Sequence, residues 1–169
     1  FRRVLFRSIK PLAKICDSDD KGIFVLVKTS NPSSGELQDM KLETNESVYE
    51  HMGKMCEGWG EDLMGKHGYS AVGAVVGATY PEQLGEMRTK LPHTFFLVPG
   101  YGAQGGGADD VKNAFDENGL GAIINSSRGI MCAWKKQGLT EDDFAVAARK
   151  EAERMRDEIV GCIGKIKLG

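Results

Sequence analysis

The sequence predicts an α/β fold built on a parallel sheet. Three observations carry this. Nearly continuous apolar runs occur at residues 22–29, 71–78, 94–98 and 121–125. Such runs mark strands buried on both faces, as in parallel sheets. Between them, apolar residues recur at helical spacing. Strands alternating with helices form βαβ units, which lay the strands side by side in parallel.

Each element follows in order. Residues 9–15 read as the tail of a helix, and Asp17-Ser18-Asp19-Asp20 as a polar turn. The first strand, 22–29, ends at Ser30-Asn31-Pro32-Ser33-Ser34-Gly35, a loop signal. Over 46–66, Val48, Met52, Met55, Trp59 and Leu63 predict a core-facing helix. Gly68 precedes the second strand. Pro81 suits the first position of a helix that places Leu84, Met87 and Leu91 on one face. The third strand leads to a helix over 108–117, which stops before Gly119. After the fourth strand, Thr140-Glu141-Asp142-Asp143 resembles a capping box with Asp at its fourth position. It opens a long final helix with Phe144, Ala148, Met155, Ile159 and Ile163 inward. The 169 residues accommodate these βα units, whereas a complete (β/α)₈ barrel takes roughly 250 residues. The pattern fits a small open α/β domain or half of a barrel.

Bulk properties exclude several classes. With 41% hydrophobic and 27% charged residues, the chain has material for one globular core. A net charge of −2 argues against general attraction to nucleic acid or an anionic membrane. No apolar run approaches the roughly 18–20 residues of a membrane span. Cys16, Cys56, Cys132 and Cys162 are far apart and form no metal pattern, which suits reduced thiols in a cytoplasmic protein. His51, His67 and His93 are scattered too, and read as surface or helix-end residues. Residues 1–8 lack an initiator methionine and mix apolar residues with Arg2, Arg3 and Arg7. They read as a non-native scar or a frayed end, leaving 9–169 as the domain.

The chemistry concentrates at two strand ends. Pro99-Gly100-Tyr101-Gly102-Ala103-Gln104-Gly105-Gly106-Gly107 is a loop whose backbone N–H groups can face an anion. Gly100-x-Gly102-x-x-Gly105 matches the dinucleotide fingerprint in form. The next strand, however, ends Asn125-Ser126-Ser127-Arg128, without the acid that would hold a ribose. A phosphate site fits better. Gln104 can donate to a phosphate oxygen and accept from a base. Arg128 can clamp a phosphate with two parallel bonds, or form a surface salt bridge. A helix beginning near Gly129 would add the N–H groups of Ser127 and Arg128. Ser30, at the end of the first strand, is either a hydrogen-bonding group for a polar ring or a turn-forming serine. Lys28 shares its alternation parity, so the two could face the same way; a lysine there could be catalytic, but a solvated or paired lysine is the simpler reading.

Four motifs at successive strand ends carry a resemblance. They are Val27-Lys28-Thr29-Ser30-Asn31-Pro32, Val75-Val76-Gly77-Ala78-Thr79, Val98-Pro99-Gly100-Tyr101-Gly102-Ala103-Gln104-Gly105-Gly106 and Asn125-Ser126-Ser127-Arg128-Gly129-Ile130. Together they resemble orotidine 5′-phosphate decarboxylase, in the bacterial branch with the Thr-Ser-Asn-Pro motif. The likeness runs from about Ile9 to the C-terminus. It implies a (β/α)₈ TIM barrel, here a partial barrel of βα units five to eight. It also implies a homodimeric parent that makes UMP from orotidine 5′-phosphate without a cofactor or metal. By motif, Ser30 and Gln104 would contact the pyrimidine. Gln104 and Arg128, with the N–H groups of Ser127 and Arg128, would hold the phosphate.

The family's Asp-Lys-x-x-Asp set is absent. Asp20-Lys21 precedes a strand and has Phe24 where the second acid would stand. The reading is therefore a C-terminal half that binds substrate, carries no catalytic residue and is inactive alone. The alternatives are another phosphosugar lyase or synthase on the same barrel, or a non-catalytic phosphate-binding half-barrel.

Overall fold

In the computed structural model, four parallel strands lie in chain order: β1 (Ile23–Lys28), β2 (Val72–Val76), β3 (Phe96–Pro99) and β4 (Ala122–Asn125). The structure describes residues 9–102, 105–164 and 166–167. The expectation for residues 1–8 lies outside them. Among the described residues, eight helices surround the sheet: α1 (Lys10–Ser18), α2 (Gly35–Gln38), α3 (Val48–Gly60), α4 (Pro81–Lys90), α5 (Ala108–Val111), α6 (Ser127–Met131), α7 (Ala133–Lys136) and α8 (Phe144–Ile163). The parallel α/β order expected from the sequence is present.

Register decides which face of each strand is covered. Val25, Ala74, Phe96 and Ala122 are partners across the sheet on the helix-covered side. With Val72, Val76 and Val98 they meet Cys56, Leu84, Met87 and Leu91 in the core. The adjacent row, Leu26, Val75, Leu97 and Ile123, is also in register. It faces the opposite way, since side chains alternate along a strand. For β1 and β4 the expectation of burial on both faces is corrected, whereas β2 is buried along most of its length. Leu26 is 58% exposed and Ile123 52% exposed, because no described element covers that face.

Two helical stripes depart in part from their expected positions. In α3 the buried seam is Tyr49, Gly53, Cys56 and Gly60; Met55 is exposed, and Leu63 lies beyond the helix. Close packing is the reason, for a Cβ at Gly53 would collide with Met87, and one at Gly60 with Ser70. In α8 Met155 and Ile159 are buried and Ile163 packs on the core as expected, but Ala147 rather than Ala148 is buried and Phe144 is 58% exposed. The Thr140–Asp143 box instead caps a 3₁₀ turn over Glu141–Asp143 that precedes α8. Leu84, Met87 and Leu91 of the α4 segment are buried as expected.

The helix expected over 108–117 is shorter: α5 passes into a 3₁₀ turn at Lys112–Ala114. Asp116 then accepts from the N–H groups of Asn118 and Leu120, each at 2.8 Å, and draws the chain into a turn. Its other oxygen accepts from the Tyr69 hydroxyl at 2.7 Å. Buried Arg88 donates to the carbonyls of Gly121 and Leu91. These bonds fix the N-terminal ends of the strands and leave the C-terminal ends to the loops that carry the motifs.

Candidate functional site

All four motifs emerge at the C-terminal edge of the sheet, where parallel α/β folds bind ligands. Strand order separates them into two groups. Ser30 follows β1, whereas Ser127 and Arg128 follow β4. Three strand spacings lie between, about 14 Å.

The β3 and β4 ends form a cavity of about 190 Å³ lined by Gly100, Tyr101, Ser126, Ser127, Arg128 and neighbouring residues. Gly100 and Gly102 have φ of 105° and 75°, a left-handed backbone that glycine adopts without strain. The loop closes on itself through Gly102 N–H donating to Gly106 O at 2.7 Å. Ser127 and Arg128 open α6. First-turn N–H groups have no intrahelical partner and suit an anion. Arg128 is exposed and makes no ion pair among the described residues, so the salt-bridge reading is not realised. Gln104, the expected amide contact, lies outside the described residues.

Two contacts brace this cavity, and neither follows from the sequence. The buried Ser126 hydroxyl donates to Tyr101 O at 3.0 Å, joining the β3 and β4 loops. The Tyr101 hydroxyl donates to Glu158 of α8 at 2.8 Å. Burial, and then that carboxylate, push the Tyr101 phenol up to about 12, so it remains a donor. Residue spacing contains no signal for a bond between positions 101 and 126.

Ser30 lines a second cavity, about 420 Å³, with Asn31, Pro32, Thr79 and Tyr80. Its position follows from close backbone approach. Gly77 donates to Lys28 O at 2.8 Å, and a Cβ on Gly77 would stand 2.8 Å from Ser30 N. Thr79 Oγ1 donates to Ser30 O at 3.2 Å. Lys28 is paired rather than solvated: its Nζ lies 2.6 Å from Asp39 Oδ1. A bulge explains why simple alternation misplaces it. Leu26 pairs with Val75 but Lys28 with Val76, so Val27 is the extra residue and Lys28 joins the helix-covered side.

The family model for orotidine 5′-phosphate decarboxylase / HUMPS matches residues 5–139. The chain belongs to that family. An orotidine 5′-phosphate decarboxylase from Rhodopirellula baltica is 44% identical over 158 residues, covering 91% of this chain and 52% of the relative. One from Clostridium tetani is 44% identical over 156 residues, covering 92% and 54%. The solved OMP decarboxylase from Leishmania donovani is 31% identical with a TM-score of 0.66, covering 90% of this chain and 52% of that one. The chain thus spans about half the length of the curated relatives it matches. Its four-stranded sheet corresponds to part of the TIM barrel of orotidine 5′-phosphate decarboxylases. Among the described residues, no helix is long and apolar enough to cross a membrane.

Proposed function

We infer that this chain is the substrate-binding half, strands five to eight, of a decarboxylase that converts orotidine 5′-phosphate to UMP. The observation that carries the reading is the cavity at the ends of β3 and β4. A glycine turn, the first turn of α6 and an arginine with no ion pair among the described residues converge there on a cavity of about 190 Å³. Ser30 and Gln104 would address the pyrimidine. Arg128, with the N–H groups of Ser127 and Arg128, would hold the phosphate.

In the reaction, the bond from C6 of the pyrimidine to the carboxylate breaks and carbon dioxide leaves. The electron pair stays on C6 and takes a proton. The lysine that donates it, and the aspartate that destabilises the substrate carboxylate, belong to the Asp-Lys-x-x-Asp set missing from this sequence. Binding energy gathered at the phosphate, away from the reacting carbon, is available to distort and orient the ring. The parent is proposed to be a cytoplasmic homodimer, with residues 9–169 as its C-terminal half.

The 169-residue chain alone is expected to show no turnover of orotidine 5′-phosphate. Co-expression with the first half of the Rhodopirellula baltica relative is expected to restore it. Turnover by the chain alone, or none in a folded complex that binds UMP, would refute the assignment.

A further inference from the structure

Lys28 is fully buried, and the proposed chemistry does not use it. Its surroundings join four elements. Nζ pairs with Asp39, the residue after α2. It also lies 5.3 Å from the ring centroid of Tyr49 in α3 and 4.8 Å from that of Tyr80, the residue before α4. A cation over aromatic faces is attracted by their quadrupoles, more strongly when desolvated. The ammonium is therefore held from three directions while its backbone ends β1.

Both walls of the 420 Å³ cavity hang from these contacts. One wall is Ser30-Asn31-Pro32, which begins two residues beyond Lys28. Thr29 N–H donates to Gln38 Oε1 at 3.0 Å, tying the same strand end to α2 beside Asp39. The other wall is Thr79 and Tyr80. Tyr80 packs on the ammonium, and Thr79 donates to Ser30 O. Removing the cation would release the loop to Asp39 and the Tyr80 ring together.

We propose that Lys28 is a positioning residue that sets the Ser30 and Thr79–Tyr80 walls of the base-binding cavity, through Asp39 on one side and Tyr80 on the other. This rests on the functional reading above, in which Ser30 faces the pyrimidine. Lys28 does not touch the ligand. It acts on recognition of the ring and leaves the phosphate cavity, three strands away, unaffected.

The test uses the complete enzyme with Lys28→Met, which keeps most of the side chain's length and removes its charge. Affinity for UMP is expected to fall about tenfold, as for loss of a desolvated charged contact. Affinity for ribose 5-phosphate, which lacks the ring, should change less than about twofold. In the ligand-free protein, amide hydrogen exchange should quicken at 29–39 and 77–80 while 96–99 and 122–131 keep their wild-type rates. General destabilisation would quicken both sets and weaken both ligands alike, and that result would overturn the proposal. Unchanged UMP affinity with unchanged exchange would overturn it too. Asp39→Asn gives the same readouts should Lys28→Met fail to fold. Wild-type enzyme that binds neither probe would refute the functional reading, and the exchange pattern would still decide whether Lys28 braces the two walls.

Discussion

The Ser126 hydroxyl donates to the Tyr101 carbonyl oxygen at 3.0 Å, across the ends of β3 and β4. The two loops that line the cavity at the ends of β3 and β4 are thereby one unit. A bond between buried neutral groups contributes about 0.5–1.5 kcal/mol. Ser126→Ala should cost about 1 kcal/mol in chemical denaturation, because Tyr101 O loses its donor. The same variant should weaken inorganic phosphate binding several-fold. Wild-type phosphate affinity in a destabilised variant would show that the bond supports the fold but not the site.

Arg128→Ala in the complete enzyme should weaken UMP far more than uridine. Each hydrogen bond to a charged group is worth about 1.5–3 kcal/mol, a factor of roughly ten or more, and a guanidinium can make two to one phosphate. Calorimetric titration of both ligands checks this. Equal losses would remove Arg128 from the phosphate.

Among the described residues, nothing covers the apolar face that carries Leu26, Val75, Leu97 and Ile123. Apolar surface of this kind, with β1 and β4 as sheet edges, favours association with other chains. Leu26→Lys with Ile123→Lys should make the isolated chain more soluble and less self-associated by sedimentation. It should also prevent complementation by the first half of a relative. Unaltered complementation would show that this face is not the inner wall of a closed barrel.

Glu50 provides an acid-dependent contribution to stability. Its carboxylate accepts from Lys90 Nζ at 2.5 Å and from Ser47 N–H at 2.8 Å. Lys90 first, then the Ser47 hydroxyl and N–H, lower its pKa to about 2. With a depressed folded pKa, the contribution is present in full above the ordinary value of 4.5 and is lost as pH falls toward 2. Glu50→Gln should cost about 1 kcal/mol at neutral pH, in the range of a lost helix cap. The difference should shrink to almost nothing near pH 2. A constant difference across denaturation curves from pH 7 to pH 2 would contradict the assignment.

The sequence by itself determined the strand-helix order, the four strands and the motifs at their C-terminal ends. These are local properties: apolar runs, a proline at a helix start, and glycines where φ must be positive. It also placed Ser127 and Arg128 at the opening of a helix. Tertiary structure alone decided the rest. Continuous apolar runs could not show that one face of the sheet is open, because cover depends on which elements lie above it. The α3 seam runs through Gly53 and Gly60 because close approach by Met87 and Ser70 outweighs the size of the side chains that mark the larger stripe. One bulge at Val27 moved Lys28 to the helix side, which period-two counting cannot foresee. Ser126 with Tyr101, and Lys28 with Asp39 and Tyr80, are contacts between distant segments. Their partners are chosen by the packing of the sheet and its loops, not by spacing along the chain.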